Sequence, residues 1–259
     1  MVRFVDQTAD PRILDDLALA RLGQAYFSRK LNELDDLELY GPSLLPGWAR
    51  AHVVAHIGYN ARAIARLVEW AETGVPQPMY ESREARDHEI VFGATLSSRA
   101  LRHLSDHAAV QLDVAWRDLP AERWTVQVRS ALGRDIPVSE TVWMRSRELW
   151  LHALDLGNGA RAKDIPPAVQ RRIIGDVLGT WGSRDALRVS LSAVDSGDRF
   201  ETPGFDAPGA VAEAAAPLRV RGTLAELLSW VTGRGSSGVE QIDAEGRALG
   251  PAPEPHRWI

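Results

Sequence analysis

The feature that most constrains this chain is a helix-forming segment that is apolar around most of its circumference. The segment VSETVWMRSRELWLHALDLGNG can begin at a capping Ser139 and end at the glycines Gly157 and Gly159. Its apolar residues occupy most directions around the helix axis: Trp143, Leu149, Trp150, Leu151, Ala153, Leu154 and Leu156. Such a helix must be buried on nearly every side, so other parts of the chain have to cover it.

The polar residues of this segment form one narrow stripe. At helical geometry Arg145, Glu148, His152 and Asp155 fall within roughly 80° of one another. Buried polar side chains are costly unless they are paired or bind a metal. Because Glu148 and His152 are four residues apart, their side chains meet over one turn and can bind one ion.

Two more histidines, His52 and His56, lie one helical turn apart near the start of an earlier amphipathic segment. Projection at about 100° per residue places Val53 on the inward face of that segment. His56 lies about 60° from Val53, at the rim of this face, whereas His52 lies about 40° farther toward solvent. With Glu148 and His152, His56 would complete a set of two histidines and one carboxylate, as in open catalytic zinc sites.

The pattern alone leaves other interpretations open. A histidine near a buried face is usually a hydrogen-bonded structural residue, and a Glu/His pair on a helix is often a surface pairing. His103 and His107 repeat the H-x-x-x-H spacing elsewhere in the chain, which shows that this spacing is a weak signal. Two histidines and one carboxylate also suit iron or manganese, so the metal identity stays open.

Periodicity predicts the α+β fold class, with two domains. Helical patterns cover residues 11–37, 49–72 and 82–118, the last with a bend at Gly93, and a short hairpin is expected in 120–138. With the buried segment they predict a four-helix bundle over residues 1–160. A helix over 167–181, two strand-like runs separated by a Gly/Pro/Ala-rich stretch, and the helix TLAELLSWV predict a small α/β domain over 161–259.

Composition excludes several classes of protein. The chain has no cysteine, which excludes disulfides, thiolate ligands and a catalytic cysteine, so any sulfur chemistry needs a thiol from outside. A net charge of −5 without clustered basic residues argues against nucleic acid as a partner. The N-terminus does not read as a signal peptide, and no run reaches the roughly 18 apolar residues of a membrane helix. We therefore expect a cytoplasmic protein without a membrane partner.

Four stretches resemble the mycothiol-dependent maleylpyruvate isomerases: LPGWARAHVVAHIGYNARAIARLVEWA, PMYESREARDHEIVFGA, RELWLHALDLG and VRGTLAELLSWVTGRG. The likeness runs through nearly the whole chain. It implies a DinB-like metal-binding four-helix bundle followed by a small C-terminal domain that contributes to the active site. The family pattern places the metal ligands at His56, Glu148 and His152, and it does not include His52.

The resemblance also implies an activity, the conversion of maleylpyruvate to fumarylpyruvate in gentisate-type aromatic degradation. Zinc, or another divalent metal, would hold the sulfur of mycothiol as a thiolate. The thiolate would add to the cis double bond, which could then rotate before elimination. The alternatives are a mycothiol S-transferase and a non-catalytic metal- or ligand-binding protein on the same fold.

Arginines would orient a dicarboxylate substrate, because the guanidinium fork suits bidentate carboxylate binding. The resemblance assigns this catalytic role to Arg234 of TGRG, with Arg221 as the rival. Further candidates are Asn60, Tyr80, Arg83 and Arg86 for contacts with substrate or thiol, and Asp155 for orienting a histidine. The sequence gives no oligomeric state, and we favour a monomer.

Overall fold

The chain folds into a helical first unit and a second unit built on a sheet. The structure is a computed structural model that describes residues 5–205 and 217–258. The two units meet in sequence at Ala160 and Arg161. The helical N-terminal part and the C-terminal sheet confirm the α+β class. No helix in the described ranges is both long enough and apolar enough to cross a bilayer.

The first unit consists of helices and one hairpin. Its elements are α1 (Pro11–Asn32), α2 (Arg50–Thr73), α3 (Arg83–Gly93), α4 (Ser98–Asp118), β1 (Gln127–Arg129), β2 (Asp135–Pro137) and α5 (Glu140–Asp155). The strands β1 and β2 pair antiparallel, which confirms the expected hairpin. Helix α2 packs mainly on α4 and α1 mainly on α5, while α2 also contacts α5 and α3. The four longer helices thus form a bundle with α3 beside it.

The prediction of one long helix over residues 82–118 was wrong. Helix α3 ends at Gly93, and the hydroxyl of Ser97 accepts a hydrogen bond from the Ala100 N–H, which starts α4 as a separate helix. Gly93 does not bend a helix. A Cβ at this position would lie 2.8 Å from the Cβ of Ala55 and 2.7 Å from the Tyr59 ring, so its glycine allows α3 to pack closely on α2.

Helix α1 is also shorter than predicted. It ends at Asn32, and the expected continuation to residue 37 is replaced by a turn. The side chain of Asp35 accepts hydrogen bonds from the N–H groups of Leu37 and Glu38 at 2.8 Å each. A local side chain that captures backbone donors in this way competes with helix propagation.

Helix α5 is buried, as its apolar circumference predicts. Leu149, Trp150 and Ala153 are each at most 2% exposed. Trp150 lies against Gly23 of α1, where a Cβ would come within 2.8 Å of the indole nitrogen, and its ring centroid is 5.2 Å from that of Tyr26. Close packing against α1 on this side leaves the polar stripe of α5 to face α2.

In its described residues the second unit has two α-helices and a five-stranded sheet. Its elements are α6 (Pro167–Asp185), β3 (Val189–Ala193), β4 (Arg199–Glu201), β5 (Leu218–Gly222), α7 (Leu224–Val231), β6 (Glu240–Ile242) and β7 (Ala248–Pro251). The strand order is β4-β3-β5-β6-β7, with β3 and β5 parallel and the other pairs antiparallel. The rings of Trp181 and Trp230, 5.8 Å apart, join α6 to α7. Most of the Gly/Pro/Ala-rich stretch lies in residues 206–216, outside the described residues.

Arg21 ties the segment before α1 to α4. Its guanidinium donates to both carboxylate oxygens of Asp6, at 2.6 and 2.8 Å, and to Asp113 at 2.7 Å. Asp6 is only 15% exposed. The hydrogen bonds from Arg21 hold the pKa of Asp6 below its ordinary value.

Asp6→Asn should lower the free energy of unfolding by about 1 kcal/mol near neutral pH, an amount reduced by solvent screening because Arg21 is 40% exposed. Since the folded-state pKa of Asp6 is depressed, the difference from the parent protein is full above the unfolded pKa of about 4 and disappears as the pH falls through the folded pKa. Urea denaturation across this pH range measures it.

The matched control is Asp135→Asn, which removes a pair between Asp135 and Arg129 that are 61% and 62% exposed. We expect its effect to stay within a few tenths of a kcal/mol, roughly the value of an exposed pair. Equal losses in the two variants would contradict the role assigned to Asp6.

Candidate metal centre

Three side chains converge between α2 and α5. The Nε2 atom of His56 lies 2.9 Å from Oε2 of Glu148, and Nε2 of His152 lies 3.2 Å from the same oxygen. Each residue offers one ligand atom, and these atoms lie within 4.8 Å of one another. Within residues 5–205 and 217–258 this is the only group of three or more such side chains that could hold an ion.

The connection before α2 holds this helix against the end of α5. The N–H of Leu44 donates to the carbonyl of Asp155 at 2.9 Å, and Nε of Arg50 donates to the carbonyl of Leu156 at 2.6 Å. These bonds attach the first turn of α2 to the last turn of α5. His56, further along α2, therefore lies beside Glu148 and His152 of α5.

The cluster is shielded from water without being sealed. His56 is 4% exposed, and the side chains of His152 and Glu148 are 14% and 23% exposed. The rings of the two histidines meet edge to face with their centroids 4.8 Å apart. A small ligand could therefore approach the cluster from the side of Glu148 and His152.

Asp155 orients the ring of His152. Its Oδ2 lies 2.8 Å from Nδ1 of His152, and its side chain is 1% exposed. A carboxylate at this atom keeps the proton on Nδ1 and leaves Nε2 as the ligand atom. Burial lowers the pKa of His152, but the hydrogen bonds to Asp155 and Glu148 outweigh burial and raise it overall.

The electrostatics of the cluster suit a divalent cation. Burial lowers the pKa of His56 and favours its neutral form. Burial alone would raise the pKa of Glu148, but hydrogen bonds to His152 and His56 hold it well below its ordinary value. Glu148 is therefore a carboxylate at neutral pH. Binding of a metal to the charged form of His152, which the raised pKa favours, would release a proton from that ring. The donor set of two imidazoles and one carboxylate fits a divalent metal with open positions.

His52 has a different role. Its Nδ1 accepts a hydrogen bond from the N–H of Ala49 at 3.2 Å, at the start of α2. The side chain thus satisfies one of the backbone donors that a helix leaves unpaired at its first turn. No atom of His52 belongs to the metal-binding group.

Trp48 is a neighbour of the centre that the sequence analysis missed. Its ring centroid lies 5.9 Å from that of His56 and 6.0 Å from that of His52. The same residue helps to line a cleft of about 400 Å³ formed by Tyr40 and residues 42–49. The available signal was the position of this tryptophan directly before the histidine-bearing helix.

Arg86 and Tyr80, two of the candidates for contacts with substrate or thiol, lie beside the metal-binding group. Nη2 of Arg86 is 3.5 Å from Nδ1 of His56, and its guanidinium lies 5.9 Å from the centroid of the Tyr80 ring. Burial raises the pKa of Tyr80, so its hydroxyl stays protonated at neutral pH. Arg83, at the exposed start of α3, is not brought into contact with the group.

Asn60 is buried, and its side chain contacts Arg145 on α5. Its Oδ1 accepts a hydrogen bond from Nη1 of Arg145 at 2.9 Å, and the residue is 6% exposed. Asn60 therefore joins α2 to α5 at Arg145, one helical turn before Glu148. The sequence analysis noted Arg145 in the polar stripe but did not include it among the site residues.

The two candidate arginines of the second unit have different surroundings. Arg221 on β5 pairs with Glu240 at 2.9 Å and donates to the carbonyl of Gly246 at 3.0 Å. Arg234 follows α7 and donates from Nη1 to the carbonyl of Thr232 at 3.1 Å. Gly233 and Gly235, on either side of Arg234, have φ angles of 70° and 140° that other residues rarely adopt. The charge of Arg221 is thus already neutralised by a carboxylate.

Comparisons with known proteins agree across the chain. Residues 20–157 match the family model described as the mycothiol maleylpyruvate isomerase N-terminal domain. Two solved structures match with 40% identity and a TM-score of 0.85, each covering 100% of both chains. One is the mycothiol-dependent maleylpyruvate isomerase, and the other is a mutant of that protein with one histidine replaced by alanine. The comparison with curated proteins gave no match.

We expect His56→Ala to lose its bound metal and His52→Ala to retain it. The first change removes one of three ligands and should weaken zinc binding by more than about a hundredfold. The second removes only a helix cap, at a cost of about 1 kcal/mol in folding stability. Metal content after dialysis and chemical denaturation measure the two effects. Equal metal content in the two variants would contradict the assignment.

Proposed function

Because the chain belongs to the mycothiol-dependent maleylpyruvate isomerase family, we propose that it is a cytoplasmic enzyme that converts maleylpyruvate to fumarylpyruvate, with zinc and mycothiol as cofactors. One observation carries the proposal. His56, Glu148 and His152 place their ligand atoms within 4.8 Å of one another, in a chain that is 40% identical over its full length to a solved isomerase of this kind.

When bound, zinc and mycothiol would together supply a thiolate that adds reversibly to the cis double bond, which becomes single, rotates and is restored by elimination. The chain itself contains no cysteine. Its own residues therefore have three tasks, which are to hold the metal, to orient the substrate and to keep the protons of the centre in place.

His152 and His56 each hold a proton at a defined atom. The contact of 2.8 Å with Asp155 keeps the proton of His152 on Nδ1 and leaves Nε2 for the metal. If Nε2 of His56 also binds the metal, its remaining ring proton lies on Nδ1. That atom can then no longer accept a hydrogen bond from Arg86, which is 3.5 Å away in this structure.

Arg86 is the first unit's candidate for binding a substrate carboxylate. Once His56 no longer accepts its hydrogen bond, the guanidinium can donate to an anion next to the metal. The Tyr80 ring, 5.9 Å away, supports the guanidinium through its face. The hydroxyl of Tyr80 remains protonated, so it can donate a hydrogen bond to the same ligand.

Arg234 remains our proposal for the second arginine of the site, contributed by the second domain. The family resemblance supports it. Two arginines would match the two carboxylates of the substrate.

The purified protein, supplied with zinc and mycothiol, should convert maleylpyruvate to fumarylpyruvate without consuming the thiol. Chromatography of the products and titration of free thiol follow both quantities. A thioether that accumulates in proportion to lost thiol would assign the S-transferase activity instead. Metal and thiol binding without turnover would indicate a non-catalytic binding protein. Normal turnover by His56→Ala would contradict the metal mechanism.

Arg86→Gln and Arg234→Gln should each lower kcat/KM for maleylpyruvate by about tenfold or more, the value of a lost charge-assisted hydrogen bond. Steady-state kinetics at fixed zinc and mycothiol measure this loss. Arg83→Gln, exposed on the same helix as Arg86, is the control and should change kcat/KM by less than about twofold. A large loss in Arg221→Gln together with none in Arg234→Gln would assign the second role to Arg221.

A further inference from the structure

Arg145 is a buried cation one helical turn from the metal-binding group. It precedes Glu148 by three residues on α5, so the two side chains share a face of the helix. It is 1% exposed. Its hydrogen bonds go to neutral oxygens, at 2.7 Å to the carbonyl of Ile57, 2.9 Å to Oδ1 of Asn60 and 3.0 Å to Oε1 of Gln24.

A buried guanidinium of this kind has a cost that its hydrogen bonds offset only in part. Charged groups transferred from water usually need an opposite charge in contact. Among the described residues, no carboxylate lies within ion-pair distance of Arg145. Burial lowers its pKa to about 10, which still leaves it charged at neutral pH. Its neighbours one turn away on the same helix, Val142 and Leu149, are apolar and buried, so packing alone would be served by an aliphatic side chain.

The sum of charges around the centre suggests which charge Arg145 would balance. Glu148 and Asp155, both as carboxylates, balance the two positive charges of a divalent metal. A thiolate on that metal adds one further negative charge, in surroundings where water is largely excluded. Arg86, 3.5 Å from His56, is assigned to a substrate carboxylate, so the positive charge that matches the thiolate comes from Arg145 on α5. The charge of Glu148 in turn favours the charged form of Arg145.

We propose that Arg145 is a positioning residue of the metal centre, which stabilises the anionic sulfur of a bound thiol through its charge and holds the turn of α2 around Ile57 and Asn60. This inference rests on the proposed function. A charge effect of Arg145 and ordinary structural support by Arg145 predict opposite changes in metal affinity when the residue is replaced. A positive charge near the centre weakens the binding of a metal cation and strengthens the binding of a thiolate, whereas loss of support weakens both.

Two variants of the full-length protein separate the two roles. Arg145→Gln removes the charge but retains an amide that can donate to the same acceptors, and Arg145→Lys retains the charge without the fork. Each is loaded with cobalt(II) as a spectroscopic substitute for zinc. Competition with a chelator measures metal affinity, and the thiolate-to-cobalt absorption band during titration with mycothiol measures thiol affinity.

We expect Arg145→Gln to bind metal as tightly as the parent protein or more tightly, and to bind mycothiol at least about tenfold more weakly. Arg145→Lys should stay within about threefold of the parent protein in both measurements. Parental mycothiol affinity in Arg145→Gln would overturn the proposal, and so would a loss of metal affinity in both variants. If Arg145→Gln does not fold, parental mycothiol affinity in folded Arg145→Lys supports the proposal and its loss overturns it.

The parent protein distinguishes this inference from the proposed function. If the cobalt-loaded parent shows no thiolate band with mycothiol, the proposed function itself fails, before any substitution is made. If the parent shows the band and Arg145→Gln shows it with equal affinity, only the role of Arg145 fails.

Discussion

One carboxylate oxygen, Oε2 of Glu148, lies 2.9 Å from Nε2 of His56 and 3.2 Å from Nε2 of His152. The two imidazoles that face this carboxylate, which is only 23% exposed, stabilise its charge. Hydrogen bonds around the contact hold its residues in place. Arg50 anchors the start of α2 to the end of α5, and Asp155 fixes the second ring. Without these restraints the two helices could not present three donors to one point.

In the proposed function the chain supplies ligands and charges, and the reactive sulfur comes from a cofactor. It has no cysteine, while its histidines and carboxylate fit an open divalent centre. Membership in the mycothiol-dependent isomerase family agrees with this division of roles. All four residues of the polar stripe of α5 can then be assigned to the same metal centre. Under the proposed function, Glu148 and His152 would hold the metal, Asp155 would orient a ligand, and Arg145 would balance charge.

Sequence patterns predicted what depends on short separations along the chain. Apolar residues on every side of α5 predicted its burial, and projection of α2 separated His56 from His52. The sequence patterns gave wrong helix boundaries where a single side chain changed the backbone path. The hydroxyl of Ser97 starts a new helix after Gly93. The carboxylate of Asp35 stabilises a turn where α1 was expected to continue. Neither effect produces a signal in hydrophobic periodicity, because each arises from one hydrogen bond.

The sequence by itself determined most of the helical segments, the candidate ligands and the family resemblance. Helical spacing places Glu148 and His152 on one face whatever the rest of the chain does. Only the tertiary structure decided that His56, 92 residues before Glu148, meets them. It also decided that Asn60 binds Arg145 and that Trp48 lies against His56. Such contacts depend on how helices dock, and docking is set by packing across the whole bundle rather than by local spacing.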